Sequence, residues 1–280
     1  MTDRGSDAPL SSSLLQPVLA FVADVGRGTL SAVETIGLGA SIFVQSITWA
    51  VMGRARGQPV RLASIVEQMM ETGVRAIPIV AVLSATIGLM LALQGIHALE
   101  PFGAQQQVSL GVSLSVVREF GPLITGIIVA GRSGSAMAAR LGSMTINQEI
   151  DALRVMGIQP IRFLVAPNLI AMLVMVPALT LLADLVALAS AGLYVRSALG
   201  IDLATFVDQV LRFLDVDDLA HGLTKAVIFG GLITIVGVLN GTRVSGGAEG
   251  VGRVTTSSVV QSIAAIVVAD GIFVYAAIRS

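Results

Sequence analysis

The sequence predicts an all-α integral membrane protein with an N-terminal interfacial helix and five transmembrane helices. Two observations carry this. The 280 residues are 54% hydrophobic and 12% charged, against roughly 25% charged in a soluble domain, and the mean hydropathy is +0.86. The apolar residues also gather into runs long enough to cross a bilayer, separated by short segments of differing arginine content. The same composition excludes other classes. A net charge of −1 offers nothing to a nucleic acid. The absence of cysteine rules out disulfides, thiol catalysis and Cys-ligated metal. The two histidines, His97 and His221, stand in no metal-binding spacing, so no metal site is expected.

Taken in order, residues 1–13 (MTDRGSDAPLSSS) read as a disordered tail and not as a signal peptide, because no apolar core follows a basic start. Residues 14–75 read as an interfacial, elbow-like region. Leu15, Val18, Leu19, Val22 and Val25 recur at helical spacing, while Asp24, Arg27, Glu34 and Gln45 interrupt the apolar character. Such a helix lies among headgroups. A rival reading is a span over Ile36–Met52, but that run has 17 residues and includes Ser41, Gln45, Ser46 and Thr48. It falls short of the roughly 20 needed. Residues 76–280 form the five-span domain. The expected spans are 76–96, 108–131, 163–195, 223–240 and 258–278. Pro78 suits a helix start; Pro167 and Pro177 are expected to kink the third span. Residues 203–214, inside an acidic loop, suit a short amphipathic helix.

Orientation follows from the arginines. Arg54, Arg56, Arg61 and Arg75 precede the first span; Arg132, Arg140, Arg154 and Arg162 follow the second; Arg243 and Arg253 follow the fourth. The loop after the first span has none, and the loop after the third has two, Arg196 and Arg212, against five aspartates. The N-terminus and the 132–162 connection are therefore expected in the cytoplasm, and the acidic loop and C-terminus on the other side.

Arg118, Glu119, Lys225 and Asp270 fall inside apolar runs, and Lys225 is the sole lysine. Charges at such depth usually face a protein interior or a wet cavity. These four sum to zero, and they suit either a lock between helices or a working polar site. Asp184 is a fifth such residue, expected to pack helices. The pairs Ala130/Gly134, Gly131/Ser135 and Gly134/Ala138 let backbones approach closely, within the chain or across a homodimer. Residues 146–158 place Ile146, Ile150, Leu153 and Gly157 on one face, with Gln148, Glu149, Asp151 and Arg154 on the others. This is a headgroup helix or a docking helix. The glycines at 246, 247, 250 and 252 carry no Walker A pattern, so a tight cytoplasmic turn is expected there and no nucleotide site.

Several of these segments form ordered motifs: R-E-x-G-P at 118–122, A-G-R-x-G-S-A at 130–136, a polar helix ending V-M-x-I-x-P at 155–160, and GAEGVGRVTTSSVV at 247–260 leading to Asp270. Together they resemble the MlaE/YrbE family, the permease subunits of ABC transporters that move lipids with MCE-domain partners. The resemblance runs from about Val60 to the C-terminus. It implies an MlaE-like permease, homodimeric, in a bacterial inner membrane. It implies a cytoplasmic ABC ATPase that holds the ATP and Mg, a periplasmic MCE-domain protein and a small STAS-like accessory subunit. No cofactor and no catalytic residue is then expected in this chain. The substrate would be a phospholipid or similar lipid, and the role the maintenance of outer-membrane lipid asymmetry. Residues 146–158 become the coupling helix, through Ile146, Gln148, Glu149, Ile150, Asp151, Leu153 and Arg154. Arg118, Glu119, Lys225 and Asp270 become candidates for headgroup recognition or coupling. Two other classes stand beside this one: an ion- or proton-coupled secondary transporter built on Glu119, Lys225 and Asp270, and a membrane scaffold without transport. No internal repeat is evident, which counts against the former.

Overall fold

The computed structural model describes residues 11–52 and 60–279, and every regular element among them is helical. Residues 1–10 of the expected tail lie outside that range, and 11–13 already belong to the first helix, α1 (Ser11–Met52). The chain up to Ile42 is one compact unit and Phe43 onward is a second.

In the first unit, α1 exposes Leu30, Val33 and Ile36. Its hydroxyls are satisfied locally: Ser31 donates to the Gly28 carbonyl and Thr35 to that of Ser31. Side chains that bond their own preceding turn present little polarity to lipid. The helix runs unbroken, so Gly26–Met52 offers 27 residues of mean hydropathy 1.4. The 17-residue limit read from the sequence does not hold. By length and composition, six helical stretches, and not five, could cross a membrane: Gly26–Met52, Leu62–Phe102, Gln105–Ile146, Ile161–Leu199, Val216–Thr242 and Gly247–Ala276.

The second unit begins with α2 (Leu62–Thr72) and α3 (Ile77–Leu99), broken at Gly73, with Pro78 in the first turn of α3 as expected. Next comes one rod made of α4 (Val108–Ser115), α5 (Gly121–Val129) and α6 (Ser135–Ile146). Its joints are two π-helical turns, Val116–Phe120 and Ala130–Gly134. The second expected span therefore continues well past Gly131; Arg132 and Arg140 are helical and not part of a loop. The short α7 (Glu149–Val155) follows. A third π turn, Ile161–Val165, leads into α8 (Ala166–Leu199). Pro167 stands in the first turn of α8, directly after the π turn, and Pro177 lies inside the helix. The amphipathic α9 (Leu203–Phe213) appears where expected and buries Phe206 and Val210.

Helix α10 (Val216–Thr242) starts seven residues before the expected fourth span. Asp215 and Asp218 form a reciprocal capping box there, which satisfies free N–H groups and sets negative charge on the positive end of the helix. Finally, α11 (Gly247–Arg279) begins inside the expected turn: Gly246 and Gly247 turn with φ of 89° and 68°, while Gly250 and Gly252 are already helical.

Two packed clusters hold these helices. One joins α3, α5, α8, α10 and α11 through Val80, Val129, Met172, Phe229, Ile233 and Ile266. The other joins α3, α4, α8 and α9 through Ala92, Val112, Ala191 and Phe206. Lipid is as apolar as these side chains, so close fit, and not escape from water, holds helices together in a bilayer. The small residues supply the fit. A Cβ on Gly134 would meet Ile233 at 2.8 Å, and one on Gly241 would meet the Ala138 carbonyl at 2.9 Å. The face carrying Gly134 and Ala138 is thus covered within the chain, the first of its two expected uses.

Candidate functional site

Lys225 has no exposed side-chain surface. A charge so placed demands paired partners, and two carboxylates supply them. Its Nζ donates to Glu119 Oε2 at 2.5 Å and lies 2.9 Å from Asp270 Oδ1. The Asp270 contact is an ion pair; Oδ1 is not in hydrogen-bonding alignment. Each partner comes from a different element: Glu119 from the first π turn, Lys225 from α10, Asp270 from α11. Glu119 is 37% exposed and Asp270 17%, so the cluster is closed at the lysine and open at Glu119.

Close approach of backbones makes the cluster possible. A Cβ at Gly222 would sit 2.2 Å from the Val117 carbonyl oxygen. Only glycine lets α10 touch the π turn there, and Lys225 follows nearly one turn later. On the other side of the rod, a Cβ at Gly121 would clash with Asp184 Oδ1 of α8. Asp184 is thereby placed in helix packing, as expected, with a buried oxygen that lacks a hydrogen-bond partner.

Arg118 does not join the cluster. Its Nε lies 3.5 Å from Asp218 Oδ1, in the first turn of α10. Neighbours on a helix diverge by about 100°, so Arg118 and Glu119 reach different partners. The neutral group of four is therefore corrected. Lys225, Glu119 and Asp270 form a triad with one surplus negative charge, and Arg118 with Asp218 forms a separate pair. Asp218 and Lys225 are seven residues apart, so the two contacts tie the rod to α10 at levels about 10 Å apart. Sequence reasoning missed Asp218 because it was assigned to a loop; the Asp215-x-x-Asp218 capping spacing was the available signal.

The expected helix over 146–158 is also redrawn. Ile146 ends α6, Gln148 turns with φ of 59°, and α7 covers only Glu149–Val155. Ile150 is buried at 8% exposure and Leu153 half-buried, so the apolar face packs inward. Outward stand Gln148, Glu149, Asp151 and Arg154, the last two paired at 2.9 Å. Val155 and Met156 are also exposed, at 89% and 63%. These two apolar residues were not among the expected contacts. Their place in the V-M-x-I-x-P motif was read as a helix end and not as a surface.

His97 Nδ1 lies 3.2 Å from the Leu93 carbonyl, and His221 meets Phe273 edge to face at 5.8 Å.

The sequence is matched in known proteins. The sequence model of a family described as Permease MlaE matches residues 65–276. The chain belongs to the MlaE permease family. With six apolar helical stretches, this MlaE permease is a multi-pass membrane protein. A probable ABC transporter permease protein of Rickettsia typhi is 32% identical over 246 residues, 88% of this chain and 93% of the relative. The chloroplastic protein trigalactosyldiacylglycerol 1 of Arabidopsis thaliana is 35% identical over 204 residues, 73% of this chain and 58% of the relative. The intermembrane phospholipid transport system permease protein MlaE of Haemophilus influenzae is 31% identical over 199 residues, 71% of this chain and 76% of the relative.

Proposed function

We propose that this MlaE permease is the membrane subunit of an ATP-driven transporter that moves phospholipids or similar lipids between a bacterial inner membrane and a periplasmic MCE-domain partner, in support of outer-membrane lipid asymmetry. The observation that carries this reading is the family match over residues 65–276. The relative from Haemophilus influenzae, named for phospholipid transport, supports the substrate class. The permease acts as a homodimer and carries no catalysis itself. ATP and Mg are bound by a separate cytoplasmic ATPase, and a small STAS-like subunit completes the assembly. The buried triad of Lys225, Glu119 and Asp270 couples the rod to α10 and α11 and answers the headgroup or the ATPase cycle. Reconstituted complex in lipid vesicles tests this. Lipid transfer should require ATP and a copurifying ATPase. Transfer by the chain alone under a proton gradient would instead establish the secondary-transporter reading.

The coupling contact is α7. Its outward side chains, including Val155 and Met156, are exposed, so changing them leaves the fold intact. Reversing Glu149, Asp151 and Arg154 together, or replacing Val155 and Met156 with aspartate, should release the ATPase or uncouple hydrolysis from transfer. Intact assembly with full transfer in both variants rejects α7 as the coupling element.

The proposed topology places the N-terminus and Arg154 in the cytoplasm and Asp217 and the C-terminus in the periplasm, with α1 lying in the interface. Single cysteines report this cleanly, because the chain has none of its own. Arg154→Cys should label from the cytoplasmic side and Asp217→Cys from the periplasmic side; the reverse pattern overturns the orientation. A cysteine at residue 30 labelled from the periplasm would show that α1 crosses.

A further inference from the structure

A second polar site lies on the same rod, away from the triad. A cavity of about 150 Å³ is lined by Gln68, Glu71, Arg132, Ser133, Arg140 and Asn168. It sits where α2, the second π turn, α6 and α8 meet. Arg132 is thirteen residues from Glu119, about 20 Å along a helix. The cavity is well above the size that one water needs.

Its walls are built and not incidental. Gln68, Thr72, Ser133 and Asn168 are each more than nine-tenths buried. Arg140 Nη2 donates to Gln68 Oε1 at 2.8 Å and to Asn168 Oδ1 at 3.5 Å. Asn168 Nδ2 in turn donates to the Leu164 carbonyl at 2.7 Å, which orients its oxygen toward the arginine. Arg132 Nη1 donates to the Glu71 carbonyl at 3.0 Å. Two guanidinium forks are thus steered to one cavity by neutral acceptors.

Charge and donors are left over. The single carboxylate in the lining, Glu71, lies 3.5 Å from Arg140 Nη1, and both side chains are 43% exposed. Such a pair is weak, and the lining keeps one net positive charge. One bond holds the Arg132 guanidinium among the described residues, although it has five N–H donors. The Ser133 Oγ is buried and has no hydrogen-bond partner. An unsatisfied buried hydroxyl beside the under-used Arg132 is a costly arrangement unless something accepts from them. Planar guanidinium forks match the oxygens of a phosphate.

We infer that the Arg132–Ser133–Arg140 cavity binds a phosphate group, carried by a lipid headgroup or by free phosphate. The Arg132 and Arg140 forks hold two of its oxygens, and the buried Ser133 hydroxyl turns about its Cα–Cβ bond to donate to a third. This site is separate from the triad, and transfer is measured independently of binding.

The full chain in neutral detergent is given phosphatidylglycerol in one arm and inorganic phosphate in the other. Retained lipid is read by native mass spectrometry and phosphate by titration. Ser133→Ala removes a hydroxyl without a partner, so the fold is untouched, yet binding in the productive arm should weaken about tenfold, the worth of one charge-assisted hydrogen bond. Arg132→Gln with Arg140→Gln should abolish it. Lipid retention that responds to both changes identifies a headgroup site; phosphate binding that responds identifies a soluble ligand. Absence of binding in both arms overturns the proposal, as does binding that ignores Ser133→Ala in a chain of unchanged melting temperature.

Discussion

Lys225→Ala is expected to abolish lipid transfer and to weaken the fold. The substitution leaves Glu119 and Asp270 facing each other without the cation between them, and breaking a buried pair costs about 3–5 kcal/mol. The two carboxylates are not equivalent. Asp270 is 17% exposed and Glu119 37%, so the unpaired charge at Asp270 costs more. Lys225→Ala with Asp270→Asn should therefore recover more thermal stability than Lys225→Ala with Glu119→Gln. Transfer should stay lost in both, because the cation that answers substrate or coupling is gone. Thermal unfolding in detergent and ATP-dependent transfer in vesicles read the two quantities. Equal rescue by both partners would remove the ranking, and recovery of transfer along with stability would make the triad a lock and nothing more.

Gly222→Val has the second large effect, by a purely steric route. The new Cβ would meet the Val117 carbonyl at 2.2 Å, and a backbone oxygen within a helical rod has no rotamer to yield. Either α10 moves off the π turn or the turn itself reforms. Overpacking of this kind costs about 1–3 kcal/mol. Displacement also pulls Lys225 away from Glu119, so transfer should fall with stability. Gly222→Ala tests the mechanism, since it adds the same clashing atom and no more; it should show most of the effect. A Gly222→Ala chain with unchanged melting temperature and full transfer would mean that α10 and the rod do not need this contact.

Five of the six apolar stretches and their order were legible because long apolar runs leave few alternatives. The charged residues were legible as exceptions to those runs. Partner choice was not. Lys225 draws on Glu119 and Asp270, while Arg118 turns to Asp218, and nothing in linear spacing separates these outcomes. Asp218 looked like loop because acidic residues lower hydropathy, although they favour the first turn of a helix. The helix over 146–158 was over-extended because the apolar spacing continues across the Asn147–Gln148 turn, where Gln148 takes the left-handed conformation. The family motifs gave no side for each residue to face.

The two π turns have a consequence for angular phase. Each accommodates one residue more than an α-helical turn, and a residue is worth about 100° of rotation. From the Glu119 turn to the far end of α6, the rod has therefore swung by about 200° relative to an unbroken α-helix. The Gly134 and Ala138 face that meets α10 would otherwise point in nearly the opposite direction. A one-residue deletion in either turn acts as a rotation: it leaves composition and length almost unchanged and directs everything downstream toward a different neighbour.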